Sequence, residues 1–272
     1  MQLAWLTKFC KESESETNME SSGMAHEKEA LVNNGAGYYD VLRLIHALLR
    51  PRTYMEIGVD TGATLALAVC PAIAIDSTFA RLQPDCIKPR RQTMLFQMSS
   101  DQFFSECDAI KLLGRRMDFV FLDGMHLIEF LIRDFLNAEA VCNPESIIAI
   151  HDCIPPDLHF TRRDPRDMSL RSNSAFPDGW GGDVWKLVPL LRNHRPALRV
   201  YCFNAAPSGL VLVTNLDPTS RLRRCYFDLL SEVGKLALPG NSVRDLVESF
   251  RILDTREIAT QADFNRYFVP VA

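Results

Sequence analysis

The stretch 118–130, DFVFLDGMHLIEF, decides how the chain is read. Asp118 leads into Phe119-Val120-Phe121-Leu122, apolar at every position where a half-exposed strand would alternate. A strand apolar on both faces belongs inside a parallel sheet covered by helices on each side. The run stops at Asp123-Gly124-Met125-His126, after which helical spacing begins. A carboxylate and an imidazole three residues apart, where a buried strand surfaces, mark the edge at which such sheets gather ligands.

The same rhythm extends in both directions. TYMEIGV (53–59), AIAID (72–76), TMLFQMSS (93–100), MDFVFLDG (117–124) and SIIAIHD (146–152) read as five successive strands. Helices are predicted over about 25–50, through GATLALAV (62–69), from Asp101 to about Leu113, and over 128–141. Residues 184–194 read as a helix interrupted by Pro189, and 198–215 as two strands joined by a tight turn at Pro207-Ser208-Gly209. The fold class that follows is α/β: a doubly wound, seven-stranded, mostly parallel sheet with an antiparallel terminal hairpin. Residues 217–272 add two amphipathic helical stretches, 220–236 and 242–253, suited to packing; a homo-oligomer is expected to form, if it does, through the N- or C-terminal helices.

Three segments are predicted. Residues 1–24, polar and serine-rich from Lys11 onward, are expected to be disordered; 25–216 form the main domain; 217–272 form a helical extension. Inside the main domain, 153–183 is long, rich in Pro, Asp, Arg and Ser, and without a convincing element, which suggests a lid. Trp180 and Phe176 are its candidates for covering an acceptor.

Composition excludes several classes. A net charge of -4 and a pI near 5.9 argue against nucleic acid or an anionic membrane as the main partner. The eight cysteines form no C-x-x-C pair, so neither a zinc framework nor a disulfide scaffold is expected, and a reducing, cytoplasmic setting is the default. The start, MQLAWLTKFC, is a poor signal peptide, and no stretch approaches the roughly 18 uninterrupted apolar residues of a membrane span.

The polar residues at the strand ends are the candidate site. Strand one ends in Glu56-Ile57-Gly58-Val59-Asp60-Thr61-Gly62; the two glycines allow a sharp turn and close approach of backbone to a ligand. This is not the dinucleotide fingerprint, which requires a third glycine. Asp76 closes strand two, where an acid can accept both hydroxyls of a ribose or cap a helix. Asp123 and Asp152, at the ends of strands four and five, can face each other across about 4.8 Å. Two carboxylates that close repel unless a proton or cation lies between them. His151 and Asp152 are consecutive, so alternation predicts that only one of them enters the site. His126 suits proton removal at neutral pH, and Asp134 reads as a structural salt-bridge partner.

EIGVDTG, the acid closing AIAID, and FVFLDGMHLIEFLIRDF followed by IIAIHD resemble class I S-adenosylmethionine-dependent methyltransferases, in the branch with D-G-x-H after strand four. The resemblance spans about residues 38–215. It implies the seven-stranded Rossmann-like methyltransferase fold. It also implies that Glu56, Gly58 and Gly62 hold the methionine end of the cofactor, Asp76 its ribose, and Ser99, Ser100 and Asp101 its adenine side. Asp123 adjoins the cofactor and is part of the catalytic pair with His126. Sugar and catechol O-methyltransferases similar to it use such acids for a divalent metal, here Asp123 and Asp152, with His151 standing where some carry an acid. Oxygen ligands favour Mg2+ or Mn2+. Two departures are the strand-one loop, with two glycines where many relatives have three, and Asn143-Pro144-Glu145-Ser146 before strand five in place of Gly-Gly. The activity implied is O-methylation of a small hydroxylated molecule, with His126 as base. The alternatives are a nicotinamide-dependent oxidoreductase, which lacks its third glycine and a Tyr-x-x-x-Lys pair, and a methyltransferase-like binding module without catalysis.

Overall fold

The computed structural model describes residues 33–87, 92–238 and 242–268. The disorder expected of 1–24 lies outside these residues. The chain forms α1 (Tyr38–Leu49), β1 (Tyr54–Ile57), β2 (Ala72–Asp76), β3 (Thr93–Gln97), α2 (Ser100–Glu106), α3 (Ala109–Leu113), β4 (Met117–Leu122), α4 (Ile128–Val141) and β5 (Cys142–His151). It continues with α5 (Leu187–His194), β6 (Arg199–Phe203), β7 (Leu210–Thr214), α6 (Tyr226–Val233), α7 (Val243–Phe250) and α8 (Gln261–Phe268). One sheet holds all seven strands in the order β3-β2-β1-β4-β5-β7-β6. β1 to β5 are parallel to one another; β7 runs antiparallel to both β5 and β6.

Each face of the sheet is buried, which is why the strands lack alternation. Met55, Val120, Leu122, Ile148 and Ile150 pack with Phe135 of α4 and Leu191 of α5 in one core. Tyr54, Phe119, Phe121 and Ile147 pack with Val41 and Ile45 of α1 and Phe264 of α8 in the other. Fully burying a side chain of this size contributes about 1.5–3 kcal/mol. The chain reverses its direction of travel between β1 and β4, and Ile57, Leu122 and Ile150 stand level across β1, β4 and β5. Their carboxyl ends therefore open at the switch point, where such sheets form a crevice.

Several local expectations are corrected. GATLALAV makes only a 3-10 turn, Leu65–Leu67, because the Thr64 hydroxyl is drawn back onto Glu56 and Pro71 ends the segment. The helix expected from Asp101 to Leu113 is two, since the Asp108 carboxylate accepts from the amides of Ile110 and Lys111 and starts a new one. Pro189 does not interrupt α5. It lies in the first turn, where its missing N–H is not needed. Beyond α6 and α7 the chain forms a third C-terminal helix, α8. Leu229, Val247 and Phe250 from this region join the first core and Ile258 and Phe268 the second.

Candidate active site

Sharp local conformations hold the ends of β1, β4 and β5. The Gly58 amide donates to the Ile75 carbonyl (3.0 Å) and the Asp123 amide to the Ile57 carbonyl (2.9 Å), which ties the end of β1 to β2 on one side and β4 on the other. Gly58 has φ +84°, and a Cβ there would lie 2.1 Å from the Asp123 carbonyl oxygen. Only glycine fits this crossing.

Asp123 and Asp152 do meet, and they bring two histidines with them. His126 Nε2 lies 3.4 Å from Asp123 Oδ1 and 3.2 Å from Asp152 Oδ2. His151 Nδ1 lies 3.3 Å from Asp123 Oδ1 and 3.2 Å from Asp152 Oδ1. His151 and Asp152 thus both enter the site, against the alternation expected of them. β5 ends at His151, and Asp152 takes a left-handed φ of 61°, so its side chain no longer points to the opposite face. Asp123, His126 and Asp152 each offer an atom within 4.8 Å of the others, a spacing that suits a bound cation.

The surroundings fix these rings. His126 Nδ1 is 2.6 Å from the Trp180 carbonyl, so it carries the proton there. Ser208, fully buried in the β6–β7 turn, donates to Asp152 Oδ1 and sits 3.2 Å from His151 Nε2. Tyr38, the first residue of α1, stacks on the His151 ring with centroids 3.9 Å apart. Burial opposes a charge on His126, but the hydrogen bond to Asp123 and the charges of Asp152 and Asp123 outweigh it and push its pKa up to about 9. Burial likewise opposes charge on His151, and the same two carboxylates raise it. Burial pushes Asp123 up, yet His151 and His126 hold it below the usual carboxylate range. The Tyr38 phenol is pushed up to about 12 by burial and then by Asp123 and Asp152.

The segment 153–183, expected as a lid, touches this cluster through Trp180. Trp180 lies 5.4 Å from His126, ring to ring, and its indole N–H donates to the Arg162 carbonyl (2.6 Å). Gly179 and Gly181 pack against buried Phe160, so the segment also has a small core of its own. Asp183 bolts the end of the lid to α4: it accepts from the Ile128 amide (2.9 Å) and pairs with Arg163 (2.7 Å) and Lys186 (3.3 Å). Leu127, the residue before α4, supplies no side-chain cap, so the lid supplies one.

The β1–β2 side of the crevice is more occupied by the protein itself. Glu56 is 0% exposed and binds the Tyr54 hydroxyl (2.8 Å) and the Thr64 hydroxyl (2.6 Å), so it shapes the loop from below. Asp76 Oδ2 accepts from the amides of Val59 (2.7 Å) and Asp60 (3.1 Å), and Oδ1 from Thr78 (3.0 Å). A carboxylate has about four lone-pair sites, so Oδ1 keeps one beyond the bond from Thr78. Leu82 and Cys86 cover Gly62, and the Gln83 amide donates to the Thr61 carbonyl (3.0 Å). A ligand touching Gly62 has to move Leu82. Ser99 caps α2 through the Gln102 amide (3.2 Å), and Asp101 pairs with Arg133 (2.8 Å).

Ser100 hydrogen-bonds Asp134, which corrects the expected role of that acid. Among the described residues Asp134 forms no ion pair; it is 4% exposed, and its Oδ1 is buried without a partner. Burial, reinforced by Asp101, raises its pKa from 3.8 to about 6. The folded state therefore keeps a proton that the unfolded chain releases. Nothing is lost below pH 3.8, a cost grows as pH rises from 3.8 to about 6, and it is constant above. Its full size is roughly 3 kcal/mol. Asp134→Asn is expected to be more stable than the parent by roughly 2–3 kcal/mol at pH 8, with the gain shrinking toward pH 4. Urea unfolding at both values checks this; a gain independent of pH would refute it.

Strand order and site together define a doubly wound α/β protein whose crevice carries a paired Asp–His cluster. No protein-family model matches the sequence, and no curated protein matches it. Among solved structures, the chain is similar to the O-methyltransferase TomG from Streptomyces achromogenes, involved in tomaymycin synthesis and in complex with SAM. That match has TM-score 0.46 and 13% identity over 65% of this chain and 78% of the other. It is also similar to the SAH-bound methyltransferase PaMTH1 of Podospora anserina, with TM-score 0.46 and 11% identity over 66% and 78%. A third likeness is to the O-methyltransferase from Bacillus cereus in complex with SAH, with TM-score 0.41 and 12% identity over 65% and 79%. Among the described residues, no helix is long and apolar enough to cross a membrane.

Proposed function

We propose that the protein is an S-adenosylmethionine-dependent methyltransferase acting on a hydroxyl of a small molecule. The observation that carries this reading is the row of groups along the switch-point crevice. Asp76 is tied to Val59 and Asp60, Gly58 is pressed on Asp123, and Asp123 is joined to His126, His151 and Asp152. In this reading the nucleoside acid at the end of β2 and the acceptor cluster at the ends of β4 and β5 flank the end of β1, the arrangement direct transfer requires. S-adenosylmethionine supplies a methyl group on a sulfonium sulfur, open to displacement by an oxygen.

In this reading Asp76 binds the ribose at Oδ1. The Gly58–Gly62 loop, shaped by Glu56 through Thr64, faces the methionine end, and the start of α2 at Ser99, Ser100 and Asp101 lies on the adenine side. Asp123 and Asp152 can share a divalent cation, Mg2+ or Mn2+, that orients the acceptor. His126 Nε2 receives the acceptor's proton, and Trp180 of the lid excludes water. With a pKa near 9 that nitrogen is already protonated at neutral pH, so it serves as a base only when positive charge offsets the two carboxylates. Its placement between them favours a second role, as a ligand.

Incubation with S-adenosylmethionine and a panel of sugars, phenols and aliphatic alcohols tests the reading. Mass spectrometry is expected to find one acceptor class heavier by a methyl group, and His126→Ala to lower its formation by about 10²–10⁴-fold. A nicotinamide cofactor turned over in place of S-adenosylmethionine would contradict it.

A further inference from the structure

We propose that His126 Nε2 is itself a ligand of the cation, and that Asp123, His126 and Asp152 form a mixed nitrogen–oxygen site for a first-row transition ion in preference to magnesium. The inference rests on the reading above and alters one part of it: with the cation bound, His126 is a ligand and not the proton acceptor.

Geometry carries the argument. The Trp180 carbonyl, 2.6 Å from His126 Nδ1, takes that nitrogen's N–H, so in the neutral ring Nε2 presents a lone pair. That lone pair points at Asp123 Oδ1 and Asp152 Oδ2. Three electron-rich atoms converge, all within 4.8 Å of one another. Asp152 is 7% exposed, and its two oxygens have different neighbours. Ser208 and His151 serve Oδ1, whereas among the described residues His126 is the group that approaches Oδ2. With Nε2 unprotonated, this buried oxygen faces only other acceptors, and a cation can take the place of the proton that Nε2 otherwise holds there. His151 reaches Asp152 at the oxygen already engaged by Ser208 and shares Asp123 Oδ1 with His126, and so positions the two carboxylates. The backbone contributes as well: β4 ends at Leu122, and the turn through Gly124 carries His126 back over Asp123.

The donor set selects the ion. Magnesium keeps oxygen ligands in near-ideal octahedral geometry, whereas an imidazole beside carboxylates suits cobalt, iron or zinc. An orienting carbonyl behind a ligating imidazole is the usual support for such a ligand.

The test uses the full chain, stripped with a chelator and then equilibrated by dialysis with Mg2+, Mn2+, Co2+ or Zn2+. One equivalent of Co2+ or Zn2+ is expected to bind at least about 100-fold more tightly than Mg2+. His126→Ala is expected to weaken Co2+ and Zn2+ by about 10–100-fold while hardly moving Mg2+. Pulsed EPR of the Mn2+-loaded chain is expected to show imidazole nitrogen coupling that His126→Ala removes and His151→Ala keeps. Circular dichroism confirms folding of each variant. Unchanged Co2+ affinity in folded His126→Ala, or no stoichiometric binding of any of the four ions, would overturn the inference. A nitrogen-coupled cation in a protein that does not bind S-adenosylmethionine would support it and overturn the methyl-transfer reading instead.

Discussion

Gly58→Ala is expected to cost at least about 4 kcal/mol, placing it among the exceptional single substitutions. Two effects add. The positive φ by itself costs an L residue only about 1 kcal/mol. The larger effect is the collision of the new Cβ with the Asp123 carbonyl carbon at 2.4 Å and the Gly124 Cα at 2.7 Å, both backbone atoms that no rotamer change can move. Relief requires β1 and β4 to part at the switch point. Gly114 provides the control, because its φ is +71° with nothing within 4 Å of a Cβ. Gly114→Ala is therefore expected to lose about 1 kcal/mol. Denaturant midpoints of the two variants separate the effects; equal losses would show that the crossing is not as tight as described.

Asp183→Ala is expected to lose roughly 2–3 kcal/mol and to loosen the lid selectively. The carboxylate caps the Ile128 amide, a contribution of about 1 kcal/mol. It also neutralises Lys186, whose side chain is 14% exposed and is left nearly buried without its partner. The Arg163 pair adds less, since that arginine is half-exposed. With the bolt removed, residues 153–183 are expected to be cut by protease faster than the sheet unfolds, and Asp183→Asn to show an intermediate rate. Cleavage that merely follows global unfolding would contradict this role.

The architecture was legible because burial on both faces leaves a direct mark. Phe119-Val120-Phe121-Leu122 and Ile147-Ile148-Ala149-Ile150 are apolar at every position, and helical spacing lies between them. The pairing of Asp123 with Asp152 followed from their places at adjacent strand ends. What stayed hidden depended on single dihedrals or on distant partners. Nothing local announces that Asp152 leaves the extended region, and that one φ lets Asp152 join His151 in the cluster. Ser208, Tyr38 and Asp183 come from a turn, a helix start and the lid's end, each far from 118–130 in sequence. Their only sequence signal was position beside loops already suspected. Asp134 misled because a carboxylate on a helix usually pairs with a neighbour; its burial beneath Ser100 is tertiary.

The central claim is that the crevice at Asp76 and Asp123 takes S-adenosylmethionine. Isothermal titration of the full chain with S-adenosylmethionine, in Co2+-loaded and chelated buffers, tests it most directly. The account predicts one site of about micromolar affinity, a binding free energy near -8 kcal/mol. It also predicts weakening by tenfold or more in folded Asp76→Asn. Absence of binding to folded protein at millimolar ligand in both buffers would contradict it. The loop covered by Leu82 and Cys86 would then be the closed floor of a protein that kept the sheet without the cofactor.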